Sequence, residues 1–401
     1  MSQIAVFADL EEGHLLASFG LMRTLLERGN GIVYVGVPDV RPIVGRQGFA
    51  FDEIMGDLFP LGFDRTVMER NGGSAQAVYF GSLVRGQVLD DVMQRIRPSL
   101  VLINSLLALE ALVIRYRYRI PVTLLTTSLL SGTRRERFRS AVQEAIELRG
   151  GLSSLMDLMG GAGIRVTKMH DIVDLLLDLP EFLCQPRGFD VPSRTPEPNL
   201  FHIGAALDPH RVEPEYSWDG FDLSRPIVYC SLGSQAHMRP KTSIRFFKQV
   251  IEAFALRPDW QLILALGAKL TLESLGPVPP GVHVCNWAPQ IRVLQRSAAM
   301  ITHAGIGTVR ECIDLTVPMV AFPLMRDQFD ACELITHHGI GVAGNINTAK
   351  PAEIAGLVDR VVSDPSIRDR LRSIRSLFGR REDLELAIEF LERNALGAAA
   401  G

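Results

Sequence analysis

Two short stretches of the chain carry the residue types best suited to chemistry. Ser231-Leu232-Gly233-Ser234 follows the apolar run Ile227 to Cys230, and His303-Ala304-Gly305-Ile306-Gly307-Thr308 follows Met300 to Thr302, with Glu311 close behind. Each reads as a small flexible turn at the carboxyl end of a parallel strand, leading into a helix. A helix N-terminus presents unpaired N–H groups and the positive end of its dipole, so such a cleft suits an anion. Glycines let the backbone approach that anion closely. Ser234 offers a hydroxyl and an N–H to a phosphate, Thr308 caps its helix or bonds phosphate, and His303 is a neutral or charged donor. Singly, each has a plainer structural reading as an ordinary turn, a satisfied histidine or a glutamate paired with a helix dipole. Together, His303, Thr308 and Glu311 fall within about two helical turns of one end.

The elements that must position these residues alternate along the chain. Apolar strand-like runs (a first strand within Met1 to Asp9, then Ile32 to Val37, Leu100 to Ile103, Pro121 to Thr126, Leu200 to Gly204) are separated by helical periodicity, which implies an α/β protein with parallel sheets covered on both faces. After the first run, Glu11 to His14 reads as a turn, and Leu15 to Arg28 as a helix stopped by Gly29. Gly45 to Gly73 shows no period and reads as loops, Ala75 to Ile96 and Leu106 to Arg117 as helices, and Arg134 to Leu179 as helical with Arg134 to Arg137 a solvated turn. Ala205 to Arg225, with its prolines, Trp218 and Gly220, reads as an inter-domain linker. A second alternating half follows: strands Ile227 to Cys230, Gln261 to Ala265, Val282 to Asn286, Met300 to Thr302 and Pro318 to Phe322, with a helix from Ser243 to Leu256 and a last one from Glu382 to Asn394.

At 401 residues the chain exceeds what one core usually serves, so two domains are expected. A net charge of -3 with both signs spread along the chain argues against nucleic acid and for a small-molecule partner. The five cysteines are scattered without a C-x-x-C pair, which reads as reduced core thiols in a cytoplasmic protein. The apolar run at the N-terminus is too short for a signal peptide or a membrane span. Gly160-Gly161-Ala162-Gly163 follows no strand and fails the dinucleotide fingerprint, and the adjacent His337 and His338 sit where a helix dipole explains them better than a metal.

From Trp287 to Asp330 the sequence resembles the signature box of the nucleotide-sugar-dependent glycosyltransferases of the GT-B fold. That group includes plant natural-product glucosyltransferases and bacterial macrolide and antibiotic glycosyltransferases. The resemblance rests on Trp287-Ala288-Pro289-Gln290, the Thr302-His303-Ala304-Gly305 run, Glu311, Val317-Pro318-Met319 and Asp327-Gln328, in matching order and spacing. It implies two Rossmann-like domains facing each other: 1–205 binding the acceptor, 206–225 a linker, 226–380 binding the nucleotide sugar, and 381–401 a final helix and frayed tail. It also implies a role for each matching residue. Trp287 stacks on the base; Gln290 and Glu311 contact the ribose; Ser234, His303 and Thr308 hold the diphosphate; Asp327 and Gln328 bind the sugar; and Gly13, Gly233, Ala288, Gly305 and Gly307 belong to the same nucleotide-sugar site. Ile306 and Gly307 stand where plant members have Trp and Asn, which is nearer the bacterial pattern.

His14 follows a glycine after the first strand, where the family has the general base that takes a proton from the acceptor hydroxyl. Imidazole suits the task because its pKa lies near working pH. The implied reaction is a single inverting displacement with a UDP-sugar or dTDP-sugar as co-substrate, glucose favoured by Asp327-Gln328, and no metal. The family pairs this histidine with an aspartate, whereas the aligned residue here is Asn104, which fixes a tautomer but adds no charge. Three readings stay open: an acidic acceptor such as a phenol, another carboxylate (Asp9, Glu12 or Glu110) in the role, or a shifted alignment. The expectation is a glycosyltransferase acting as monomer or homodimer on a small apolar natural product. A catalytically silent homologue and a nucleotide-sugar epimerase are the alternatives. The acceptor pocket falls in irregular segments, Met55 to Gly81 and Leu129 to Leu179, that pattern reasoning does not resolve.

Overall fold

The structure, a computed structural model, describes residues 2–7, 12–62, 81–86, 88–128, 132–149, 152–189, 197–205, 207–208, 210–267, 269–325 and 327–399. Strands β1 (Gln3–Phe7), β2 (Gly31–Gly36), β3 (Ala50–Glu53), β4 (Leu100–Asn104), β5 (Val122–Thr126), β6 (Glu181–Leu183) and β7 (Leu200–His202) form a 7-stranded parallel sheet in the order β3-β2-β1-β4-β5-β6-β7. Strands β8 (Ile227–Ser231), β9 (Gln261–Ala265), β10 (Val282–Cys285), β11 (Ser297–Thr302), β12 (Met319–Ala321) and β13 (Gly341–Ala343) form a 6-stranded parallel sheet, ordered β10-β9-β8-β11-β12-β13. This is the α/β, GT-B-like pairing of two Rossmann-like sheets. In each sheet the chain runs outward to one edge and returns to the other side of its first strand, so the strand order reverses between β1 and β4 and between β8 and β11. In open parallel sheets, ligands bind outside the carboxyl ends of the strands at such a reversal.

Side chains alternate across the strands, and both faces of the first sheet are covered. Ala5 and Phe7 join one apolar cluster with Val101 and Ile103, while Ile4 and Val6 join another with Leu100 and Leu102. That second cluster also takes in Ala387, Ile388, Leu391 and Ala395 of the last helix, Glu382–Ala399, so the chain's end crosses back to the first sheet.

The helix after β1 spans Glu12–Glu27, and the turn expected at its start is shorter than the spacing implied: Gly13 and His14 already lie in its first turn. Gly29 (φ 86) ends it, with Gly29 and Asn30 N–H groups returning to the Leu26 and Leu25 carbonyls. A helix over Arg41–Arg46 overlaps the start of the stretch expected as loops, and within that stretch β3 forms an edge strand, half-exposed and therefore without an apolar signature. Residues 63–80 lie outside the described residues. The expected helix to Ile96 is helical at 81–85 and again at Leu89–Ile96, interrupted at Gly86 (φ 82).

The largest correction concerns Arg134 to Arg137. Arg134 is 1% exposed, in the core and not in a solvated turn. Its Nε donates to Glu181 Oε2 (2.6 Å), Nη1 to the Pro198 carbonyl (2.7 Å) and Nη2 to the Leu179 carbonyl (2.8 Å). Arg137 Nη1 donates to Glu181 Oε1 (2.8 Å), which Thr126 also reaches (2.5 Å). Burial pushes the Glu181 carboxyl up, but the charges of Arg137 and Arg134 and their hydrogen bonds outweigh it and hold its pKa below the ordinary value. This stabilisation is present above the unfolded carboxylate pKa and is lost as pH falls through the lower folded one.

Specific hydrogen bonds join the two halves. Arg310, 1% exposed in the helix Ile306–Asp314, donates from Nη2 to the carbonyls of Thr127 (2.6 Å) and Cys184 (2.5 Å), which follow β5 and β6. The same helix packs on Glu12–Glu27. Glu181→Ala should leave two arginines without their buried partner and cost about 3–5 kcal/mol of unfolding free energy in urea titration. A loss below about 1 kcal/mol would mean that the network is solvated.

Candidate active site

The two turns that follow β8 and β11 are built alike. Thr302 pairs with Ser231 across the strands. The Ser231 hydroxyl accepts the Gly233 N–H (3.1 Å), and the Thr302 hydroxyl accepts the Ala304 N–H (3.1 Å). Both receiving residues are left-handed, Gly233 at φ 73 and Ala304 at φ 64. The second is strained for a residue with a Cβ, and such strain gathers at ligand sites. Gly305 then caps the helix Ile306–Asp314, leaving its first amides at the carboxyl edge of the sheet.

Between the turns lies the ring of His303. A Cβ on Gly233 would sit 2.6 Å from its Cε1, and one on Gly305 would sit 2.3 Å from its Nε2. Both glycines are therefore required by one imidazole. Burial drives the His303 pKa down to about 4, against a smaller raising effect of a hydrogen bond to the Ser231 backbone, so the ring is neutral at pH 7. The alternative of a charged His303 is thereby removed: it props two turns and offers at most a neutral nitrogen, and its Nδ1 is buried with no partner among the described residues. No Cβ neighbour crowds Gly307 or Gly13 within 4 Å, so space is left beside both. Ser234 is exposed in the turn after β8.

The ribose candidates are preassembled. Gln290, at the start of the short helix Gln290–Leu294, donates Nε2 to Thr308 Oγ1 (3.0 Å) and to Glu311 Oε2 (2.6 Å). Thr308 and Glu311 lie three apart on one helix face, 7% and 5% exposed. Trp287 is 52% exposed and is followed directly by buried Ala288. At the other end, Asp327 begins the helix Gln328–His337, and Gln328 is buried with its Oε1 accepting the Leu324 (2.8 Å) and Met325 (2.9 Å) amides. Its carbonyl oxygen thus holds the loop, and its Nε2 is the end with donors for a sugar hydroxyl.

On the first sheet, Phe7 lies opposite Ile103, so the connection leading to His14 and the residue Asn104 leave the same reversal point. Asn104 is 6% exposed, and its Oδ1 accepts the Leu106 N–H (2.9 Å), capping the turn Ser105–Leu107. The amide has a local structural task, which pattern alone did not reveal. Of the alternative carboxylates, Glu110 is buried and Glu12 half-buried, while Asp9 lies outside the described residues.

Sequence reasoning missed two residues here. Arg211, from the linker, pairs through Nη1 with Glu311 Oε1, and its Nη2 lies 2.8 Å from Glu213 Oε1. Glu213 Oε2 in turn accepts the Ile291 N–H (3.1 Å). Neither lies in a periodic segment, so no pattern marked them. Among the described residues no group of three or more His, Cys, Asp or Glu could hold a metal ion, and no helix is long and apolar enough to cross a membrane.

The wedge at His303 gives a non-additive prediction. Gly305→Ala should cost about 1–3 kcal/mol of stability in the native background. It should cost little when His303 is alanine, as read from a double-mutant cycle of urea unfolding. Equal costs in both backgrounds would show that the ring does not fill the space.

Comparison with known proteins gives one consistent picture. The family model described as UDP-glucoronosyl and UDP-glucosyl transferase matches residues 189–393, more than half the chain. The chain is 24% identical over 403 residues to the oleandomycin glycosyltransferase of Streptomyces antibioticus, covering 98% of this chain and 90% of that one. It is 23% identical over 370 residues to the NDP-glycosyltransferase YjiC of Bacillus subtilis (strain 168), covering 90% and 89%. The solved structure of the glycotransferase of kitacinnamycin superposes with a TM-score of 0.77 at 25% identity, covering 98% of this chain and 99% of that one. The calicheamicin glycosyltransferase CalG4 superposes at 0.75 and 23% identity over 100% of both, a likeness of fold. The chain therefore belongs to the UDP-glucoronosyl and UDP-glucosyl transferase family and is a GT-B glycosyltransferase that takes its sugar from a nucleotide sugar.

Proposed function

We propose that this enzyme transfers a hexose, glucose first, from a UDP-sugar to a hydroxyl of a small, largely apolar natural product, inverting the anomeric centre, in the cytoplasm. The observation that carries the donor reading is Glu311, a carboxylate held by Gln290 one turn inside the helix whose N-terminus would face the diphosphate. A carboxylate has about four lone-pair sites, enough for both ribose hydroxyls beside its protein partners. The acceptor class is supported by relatives that are named for the macrolide oleandomycin and for kitacinnamycin. A dTDP-sugar is the other donor to test, since the structural relative VinC is described in complex with dTDP.

In this reading the diphosphate lies against the Gly305 to Thr308 amides and the Gly233–Ser234 turn, whose N–H groups and helix dipole meet its charge. The acceptor oxygen attacks the anomeric carbon as the bond to the diphosphate breaks, and His14 takes the hydroxyl proton. Asp327 and the Gln328 amide hold the sugar hydroxyls. Asn104 caps its own turn and, as a neutral amide, brings no charge of its own to an imidazolium, so the reading favours an acidic acceptor such as a phenol.

His14→Ala should lower transfer by about 10²–10⁴-fold while UDP affinity is unchanged, measured by single-turnover product formation and calorimetry. Asn104→Asp should raise the rate with alcohol acceptors more than with phenols, since only the weaker acid needs the extra charge. Mass spectrometry of mixed donor and acceptor libraries identifies the true pair. UDP binding with no turnover of any sugar would mark a silent homologue instead, and epimerised donor in the products an epimerase.

A further inference from the structure

The linker does more than connect. Asp208 Oδ2 accepts from Arg23 Nη2 (3.0 Å) on the helix that carries His14, and Val212 exchanges two backbone bonds with the Gln47 side chain (3.0 and 3.3 Å). Between these anchors, Arg211 faces the other half and lies between two carboxylates, Glu311 and Glu213. All three side chains are largely removed from water: Arg211 is 16% exposed, and Glu311 and Glu213 are 6% exposed each. Glu213 cannot turn away, because the Ile291 and Arg292 amides hold its other oxygen. Two carboxylates so close and so buried repel strongly unless a cation stands between them.

We propose that Arg211 is a positioning residue for the donor's ribose: its guanidinium stands between Glu213 and Glu311 and holds Glu311 oriented to receive the two ribose hydroxyls. The proposal rests on the donor reading above. Arg211 need not leave when the nucleotide arrives. It occupies one lone-pair site on Glu311 Oε1 and Gln290 one on Oε2, so each oxygen keeps a second site for a hydroxyl. The arrangement resembles a bound ligand set with the ribose still to be added. Because the same segment is anchored beside Arg23, it also joins the ribose carboxylate to the helix that begins at His14.

The test compares UDP with 2′,3′-dideoxy-UDP by calorimetry, on the full chain and on Arg211→Met and Arg211→Lys. The native protein should prefer UDP, and no preference would sink the ribose role of Glu311 itself, whatever Arg211 does. Given that preference, Arg211→Met should weaken UDP about ten-fold, the size of one lost charge-assisted contact, while the dideoxy analogue changes less than about two-fold. Arg211→Lys, which keeps the charge and loses the fork, should recover part of the loss. Unchanged dideoxy-UDP binding also shows that the variant is folded. Equal losses for both nucleotides, or no loss for either, would overturn the proposal. A gain in UDP affinity would overturn it too, making Arg211 a competitor of the ribose.

Discussion

The donor half is built around one neutral imidazole wedged between two turns. His303 fills the space that side chains on Gly233 and Gly305 would need, and it does so without charge because burial holds its pKa near 4. The anion's charge must then be met by other groups. Backbone N–H groups at a helix N-terminus meet it without mobile side chains and without a buried cation to desolvate. The same wedge sets the spacing between the turns after β8 and β11, and so the width of the site a diphosphate would fill. Downstream of it, Thr308 and Glu311 follow at helical spacing and Gln290 ties them together.

Three arginines largely withdrawn from water show three ways of managing a guanidinium. Arg134 is fully satisfied by a carboxylate and carbonyls, and it fastens a helix to the edge of the first sheet. Arg310 forms no ion pair with a carboxylate among the described residues and grips two carbonyls of the opposite half, with burial pulling its pKa down. A guanidinium held by carbonyls at such a cost in desolvation adds little net stability, and its value lies in fixing how the halves meet. Arg211 is shared by two carboxylates and sits where the nucleotide's ribose is proposed to bind.

Much of this was legible from residue order. Central parallel strands are buried on both faces, so β1, β4, β5, β8, β9 and β11 appear as continuous apolar runs, and the turns after them carry Gly, Ser, Thr and His. The strands that escaped were β3, β6 and β13, of four, three and three residues. β6 begins with Glu181, whose burial depends on arginines 44 and 47 positions away, and no local pattern encodes such a partner. For the same reason Arg134 read as solvated. The linker was recognised as irregular, yet its irregularity hid Arg211 and Glu213, whose roles exist only once the two halves are folded. The Asn104 cap was likewise invisible, because an aligned position names a residue type and not its hydrogen bond.

The most direct test of the account is a crystal structure of the protein with UDP. The uracil should lie on the exposed face of Trp287, the ribose hydroxyls within hydrogen-bond reach of Glu311, and the diphosphate oxygens against the amides from Gly305 to Thr308. A nucleotide bound away from the β8–β11 reversal point, or one whose ribose avoids Glu311, would contradict it.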